Sequence, residues 1–222
     1  MLRGRPREFD REQALLDAML LFWRKGFHAT SLRDLGDVLG IRMPSLYAAF
    51  GSKEELYVEA VDLYMQLTRT LWRHLQEAPS AREGVRELLL ATAGELTNRE
   101  AHPIGCMVTF ATIDEDMPAV VAAAIRNARC AWLNAIRERL EIAVTEGELH
   151  DLAEASRLSH FYAAIVQSMG IQAHDGAPFA ELKDIIDLAM VAWPERNDRV
   201  AAKRGRNRAI AASEPSARKR RY

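Results

Sequence analysis

The chain has 222 residues, 49% of them hydrophobic and 27% charged, a composition ordinary for a soluble globular protein with one generous domain or two small ones. No apolar run approaches the ~20 residues of a membrane span, and the basic start MLRGRPREFD has no secretory-type apolar segment behind it, so a cytoplasmic protein without a membrane partner is expected. The net charge of −1 hides a segregation: nine Lys/Arg against six Asp/Glu in 1–53, eleven against twenty-two in 54–194, and ten against three in 195–222. Basic ends around an acidic body suggest one surface that meets a polyanion and another that repels it.

Taken in chain order, the elements are all helical. Apolar spacing predicts helices over about 10–25, 31–38, 42–49, 52–77, 80–98, 103–115, 118–146, 151–173 and 179–193. Start signals precede several of them: Asp10 with Gln13, Ser31 with Asp34, Ser52 with Glu55, Ser80 with Glu83 and Asp151 with Glu154. Gly26, Gly40, Gly147 and Gly176 supply stops, as do Pro79 and Pro194. Nothing alternates cleanly enough to argue for a strand.

Between residues 31 and 49 two short helices flank a tight turn. Leu32, Leu35, Val38 and Leu39 form one apolar stripe, Gly40 allows a sharp turn, and Pro44 suits the first turn of the second helix. Leu46 and Phe50 then point to a core, leaving Arg42, Met43, Ser45, Tyr47 and Ala48 outward. The helix over 10–25 offers the platform through Ala14, Ala18, Leu21 and Phe22. This is how a helix-turn-helix presents its second helix to a major groove.

The stretch TSLRDLGDVLGI (30–41), then SLYAAFGSKEEL (45–56), with Ala18, Phe22 and Gly26 upstream, resembles the TetR family of regulators over about residues 9–56. Gly36 stands where such proteins usually carry alanine, and Ala49 where histidine is common. The resemblance implies an all-α chain. An N-terminal arm and three-helix DNA-binding domain would span 1–51, a helical effector-binding and dimerisation domain 52–194, and a basic, disordered tail 195–222. It also implies site roles. Thr30, Ser31, Tyr47 and Lys53 would meet phosphates, and Arg42, Met43 and Ser45 would meet base edges, with Arg42 the guanine candidate. Arg5, in the arm Arg3–Arg7, would enter a minor groove. The blander roles are a half-buried Tyr47, Lys53 paired with Glu54 or Glu55, and an idle arm.

For the body, the resemblance implies a homodimer on palindromic double-stranded DNA and a small-molecule effector of unknown identity. Leu158, Ile165, Met169, Leu182, Ile186 and Ala189 are the dimer candidates. Trp72, Cys106, Met107, Phe110, Ile113, Trp132 and Tyr162 are the pocket candidates, although each is individually more often core. Proline and glycine in Pro103–Met107 suggest a helix break beside the cavity. Both cysteines, Cys106 and Cys130, are expected to be buried and inert, with no disulfide.

An enzyme is the weak alternative. The six histidines are scattered, and no metal, cofactor or phosphate-loop motif appears. The acids Asp114–Asp116 more simply end a helix. A ligand-binding protein that had lost DNA recognition would show degraded contact positions, which this sequence does not.

Overall fold

The computed structural model describes residues 10–111 and 116–194, with the Phe110 side chain excepted. The arm with Arg5, the tail 195–222 and Ile113 lie outside the described residues. Ten helices and no strand occur among those described: α1 (Arg11–Lys25), α2 (Leu32–Leu39), α3 (Met43–Phe50), α4 (Lys53–Leu67), α5 (Arg69–Glu77), α6 (Ala81–Leu96), α7 (Met107–Phe110), α8 (Ala119–Thr145), α9 (Leu152–His174) and α10 (Phe179–Val191).

The five predicted caps all form. Asp10, Ser31, Ser52, Ser80 and Asp151 each accept from a backbone N–H in the first turn of the helix they open, and Ser31 and Ser52 complete reciprocal boxes with Asp34 and Glu55. Gly40 closes α2 in the left-handed conformation, at φ 64° and ψ 24°, which a β-carbon would disfavour.

Helices of eight residues are not stable alone, so α2 and α3 depend on what they bury. Leu35 and Leu46 are fully buried and Phe50 nearly so. They join a core in which Phe22 of α1 meets Tyr57 of α4 edge-on at 4.9 Å, and Phe27 meets the same ring at 5.3 Å. Each buried leucine contributes roughly 2 kcal/mol by transfer from water. On the outside, Arg11 grips Glu59 at 2.7 and 2.8 Å and lies 4.7 Å over the Phe50 ring. Both charges are well exposed, so that pair adds a fraction of a kcal/mol at most.

Two predicted elements change. The single helix expected over 52–77 is broken at Thr68, whose hydroxyl and N–H both donate to the Tyr64 carbonyl at 3.0 Å, a back-bond that often bends helices. Of the helix expected over 103–115, the described residues form Met107–Phe110, which begins after Pro103 and Gly105; residues 112–115 lie outside the described residues. Gly105 has φ 79°, and its N–H turns back to the Leu96 carbonyl at 3.1 Å.

In the body, the long helices α8 and α9 pack together, and α6 lies against α5, α9 and α10. The crossing of α5 and α6 is tight. A β-carbon on Gly84 would stand 2.6 Å from the Leu75 carbonyl oxygen.

The predicted dimer residues lie mostly inside the subunit. Leu158, Met169, Leu182, Ile186 and Ala189 are buried inside the subunit and Ile165 is half-buried, because these positions form the stripes by which α9 and α10 pack on each other and on α6. The large apolar residues of these two helices left in water are Leu152, Phe161 and Ile171 on α9 and Phe179, Leu188 and Val191 on α10, the last two 74% and 80% exposed.

Candidate functional site

The first part of the site is the outer face of α3. Arg42, the residue that opens α3, is exposed, with no side-chain hydrogen bond spent on capping. Pro44, Ser45, Tyr47 and Ala48 are exposed beside it, while Leu46 and Phe50 hold the opposite face. Tyr47 is therefore not half-buried core.

Met43 departs from expectation. It is partly buried, and its terminal methyl fills the space over Gly36, where a β-carbon would come within 2.9 Å. The glycine thus lets the first turn of α3 close on α2, and Met43 packs inward instead of standing free for a base edge. The other unusual residue, Ala49, offers its carbonyl to Arg11 Nε at 3.3 Å.

The phosphate candidates are also altered. Thr30 is fully buried, and its hydroxyl donates to the Gly26 carbonyl at 2.7 Å. Ser31 is exposed, but its hydroxyl and N–H both donate to Asp34, at 2.8 and 2.9 Å. Lys25 pairs with the same carboxylate at 2.9 Å. The Lys25 ammonium, followed by the two Ser31 donors, holds Asp34 well below the usual carboxylate range. Lys53 is placed over the Phe27 ring at 4.2 Å, and burial lowers its ammonium from the ordinary lysine range. Neither glutamate neighbour is its principal contact, so the ring fixes where its charge sits.

The second part is a cavity of about 30 Å³, room for roughly two water molecules, at the break between α4 and α5. Trp72, Cys106 and Trp132 line it as predicted, with Tyr64, Thr68, Leu71, Thr92, Glu95, Leu96 and Val166. Trp72 and Trp132 stack with centroids 6.4 Å apart and planes 14° from parallel. Tyr64 donates its hydroxyl to Cys106 Sγ at 3.3 Å, and burial keeps the phenol protonated well above its ordinary range.

Two pocket candidates are placed elsewhere. Met107 is buried beside Phe22, Trp23 and Tyr57. Tyr162 turns toward α10, donating to the Ala189 carbonyl at 3.4 Å with its ring near Trp193. Cys106 is buried as expected, but Cys130 is exposed on α8, contrary to expectation.

Tyr64 also ties the cavity to α1. Its ring meets Trp23 of α1 edge-on at 4.9 Å, and Trp23 stacks on His102 at 4.5 Å. His102 donates through Nδ1 to the Pro103 carbonyl at 2.8 Å and sets Nε2 3.0 Å from Glu95 of the cavity wall.

This geometry has counterparts among known proteins. The model for bacterial regulatory proteins of the tetR family matches residues 15–60. The HTH-type transcriptional repressor ComR of Escherichia coli K12 is 31% identical over 198 residues, covering 87% of this chain and 93% of ComR. The chain belongs to the TetR family. It is a DNA-binding transcriptional regulator and not an enzyme. The repressor BdcR, also of Escherichia coli K12, is 52% identical over 62 residues, 28% of this chain and 32% of BdcR. Among solved structures, the TetR regulator CifR, as a cysteine mutant complexed with 26-bp operator DNA, is 40% identical with a TM-score of 0.80, covering 86% of this chain and all of CifR.

The TetR frame explains what the sequence missed. Pro44, expected to start α3, is also exposed with Arg42 on the outer face of that helix. Tyr64, Thr68, Thr92 and Glu95 escaped as cavity residues because the sequence shows only periodic helices there.

Proposed function

We propose that this TetR-family regulator is a dimeric repressor that holds a palindromic operator and lets go when a small molecule enters the cavity. The observation that carries this reading is the span of α4. Lys53, beside the reading helix, begins it, and Tyr64 near its other end lines the cavity. A ligand that prefers a different setting of α4 shifts the population of dimers able to meet two half-sites. The names of ComR and BdcR as repressors, and the operator complex of CifR, support the reading.

Selection of bound DNA from a random pool tests it. A palindrome enriched by the dimer is expected; salt-weakened binding without a motif sinks the reading. On that palindrome, Arg42→Ala should lose about 1–3 kcal/mol of discrimination at one base position. Tyr47→Phe should weaken all sequences alike. Unchanged base preference without Arg42 would show that other residues read the operator.

The dimer is assigned to the exposed apolar residues of α9 and α10 instead of the buried stripe. Burying two Leu188 and two Val191 side chains removes apolar surface from water on both subunits. Replacing both by glutamate should give a folded monomer in sedimentation, with operator affinity reduced more than tenfold. A dimer that persists with both glutamates would place the interface on another face.

A further inference from the structure

We propose that the ligand of the cavity is a small organic cation, an ammonium carried on a compact apolar body; this rests on the reading of the cavity as the effector site. The walls carry the argument. Tyr64, Trp72 and Trp132 bring three aromatic rings to one small space, with Leu71, Leu96 and Val166 beside Thr68, Thr92, Cys106 and Glu95 as the rest of its lining. Ring faces are negative and attract a desolvated cation, tryptophan most strongly. Glu95 is the carboxylate in that lining. His102 stands against one of its oxygens, Oε1, and a carboxylate offers about four acceptor positions, so capacity remains.

The route inward has the same character. Trp72 and Trp132 also line a surface groove between α4, α5 and α8, with Asp62, Arg69, Gln66 and Gln76. The two indoles thus stand between the groove and the cavity, as a door lined on both sides. The surplus of eleven acidic charges between residues 54 and 194 raises the local concentration of cations at such a mouth, with Arg69 the one opposing charge among the groove residues named. Trp132 adds one polar group of its own. Its Nε1 is buried without a hydrogen-bond partner, a polar atom in the cavity wall that the fold leaves unused.

The cavity as it stands holds about 30 Å³, so entry requires the indoles to part. Because Thr68 lines the same space, parting the walls acts at the break between α4 and α5.

The test is calorimetry on the full-length protein with a matched pair of probes, benzylammonium chloride and benzyl alcohol. The two differ mainly in charge. Benzylammonium should bind about tenfold more tightly or better. Glu95→Gln should remove that preference while leaving benzyl alcohol within about twofold, and Trp72→Leu should weaken benzylammonium more than the alcohol. Thermal melts of both variants show whether the fold persists. Equal affinities, a preference that survives Glu95→Gln, or binding by neither probe overturns the assignment. Operator release is scored separately. A cation that fills the cavity without loosening the operator keeps the assignment and removes the effector reading. Release by benzyl alcohol but not benzylammonium does the reverse.

Discussion

Leu46→Ala should abolish operator binding while leaving the body of the molecule helical. Leu46 is fully buried, and with Phe50 it is one of the two buried residues of the eight-residue α3, which packs on α2 and α4. Truncating a buried leucine costs about 2–5 kcal/mol, depending on how far the site collapses around the cavity left behind. A helix of this length has no reserve of its own to set against that loss. Far-ultraviolet circular dichroism should therefore change little, whereas affinity for the selected palindrome should fall by more than tenfold. Binding within twofold of the parent would show that α3 is held by something other than its buried face.

The second large effect is expected far from DNA. Gly84→Ala puts a methyl group 2.6 Å from the Leu75 carbonyl oxygen, and the obstacle is backbone, which cannot swing aside like a side chain. Helices α5 and α6 must separate, at a cost of about 1–3 kcal/mol typical of overpacking, partly offset by the better helix propensity of alanine. Gly94 lies on the same helix with nothing within 4 Å of its would-be β-carbon. Gly94→Ala should therefore be neutral or stabilising by up to about 1 kcal/mol. Comparing the two melting temperatures isolates the crossing from propensity. A Gly84→Ala protein as stable as Gly94→Ala would mean that the crossing is slack.

The sequence was most informative where local chemistry decides structure. Caps such as Asp10 and Asp151 need only a short polar side chain and the N–H groups beside it, so they can be read one residue at a time. The outward face of α3 was legible for a related reason: Leu46 and Phe50 fix its rotation, and Arg42, Ser45 and Tyr47 follow. What failed depended on neighbours distant in sequence. Met43 looked free until α2 brought Gly36 beneath it, and Thr30 looked available until its hydroxyl found the Gly26 carbonyl.

The dimer candidates show the same limit. An amphipathic stripe states that a face is buried but not by what. On α9 and α10 the stripe of Leu158, Met169, Leu182 and Ile186 is satisfied within the subunit, and Leu188 and Val191 are left exposed, the surface to which the proposed interface is assigned. The cavity was half legible. Large aromatic residues announced Trp72 and Trp132, while Glu95 resembled any solvated acid on a helix.

The break at Thr68 has a mechanical consequence. Fifteen residues of α4 at about 1.5 Å each make a rigid arm of about 22 Å pivoting beside the cavity. A tilt of roughly five degrees at such a pivot sweeps the Lys53 end through about 2 Å, by the same helical rise. With two arms in a dimer, the displacements add or cancel according to symmetry. An uninterrupted rod from 52 to 77 would have to drag α5 and its tight crossing at Gly84 along with it. On the proposed mechanism, the break at Thr68 would let a small shift at the cavity become a larger one at the Lys53 end.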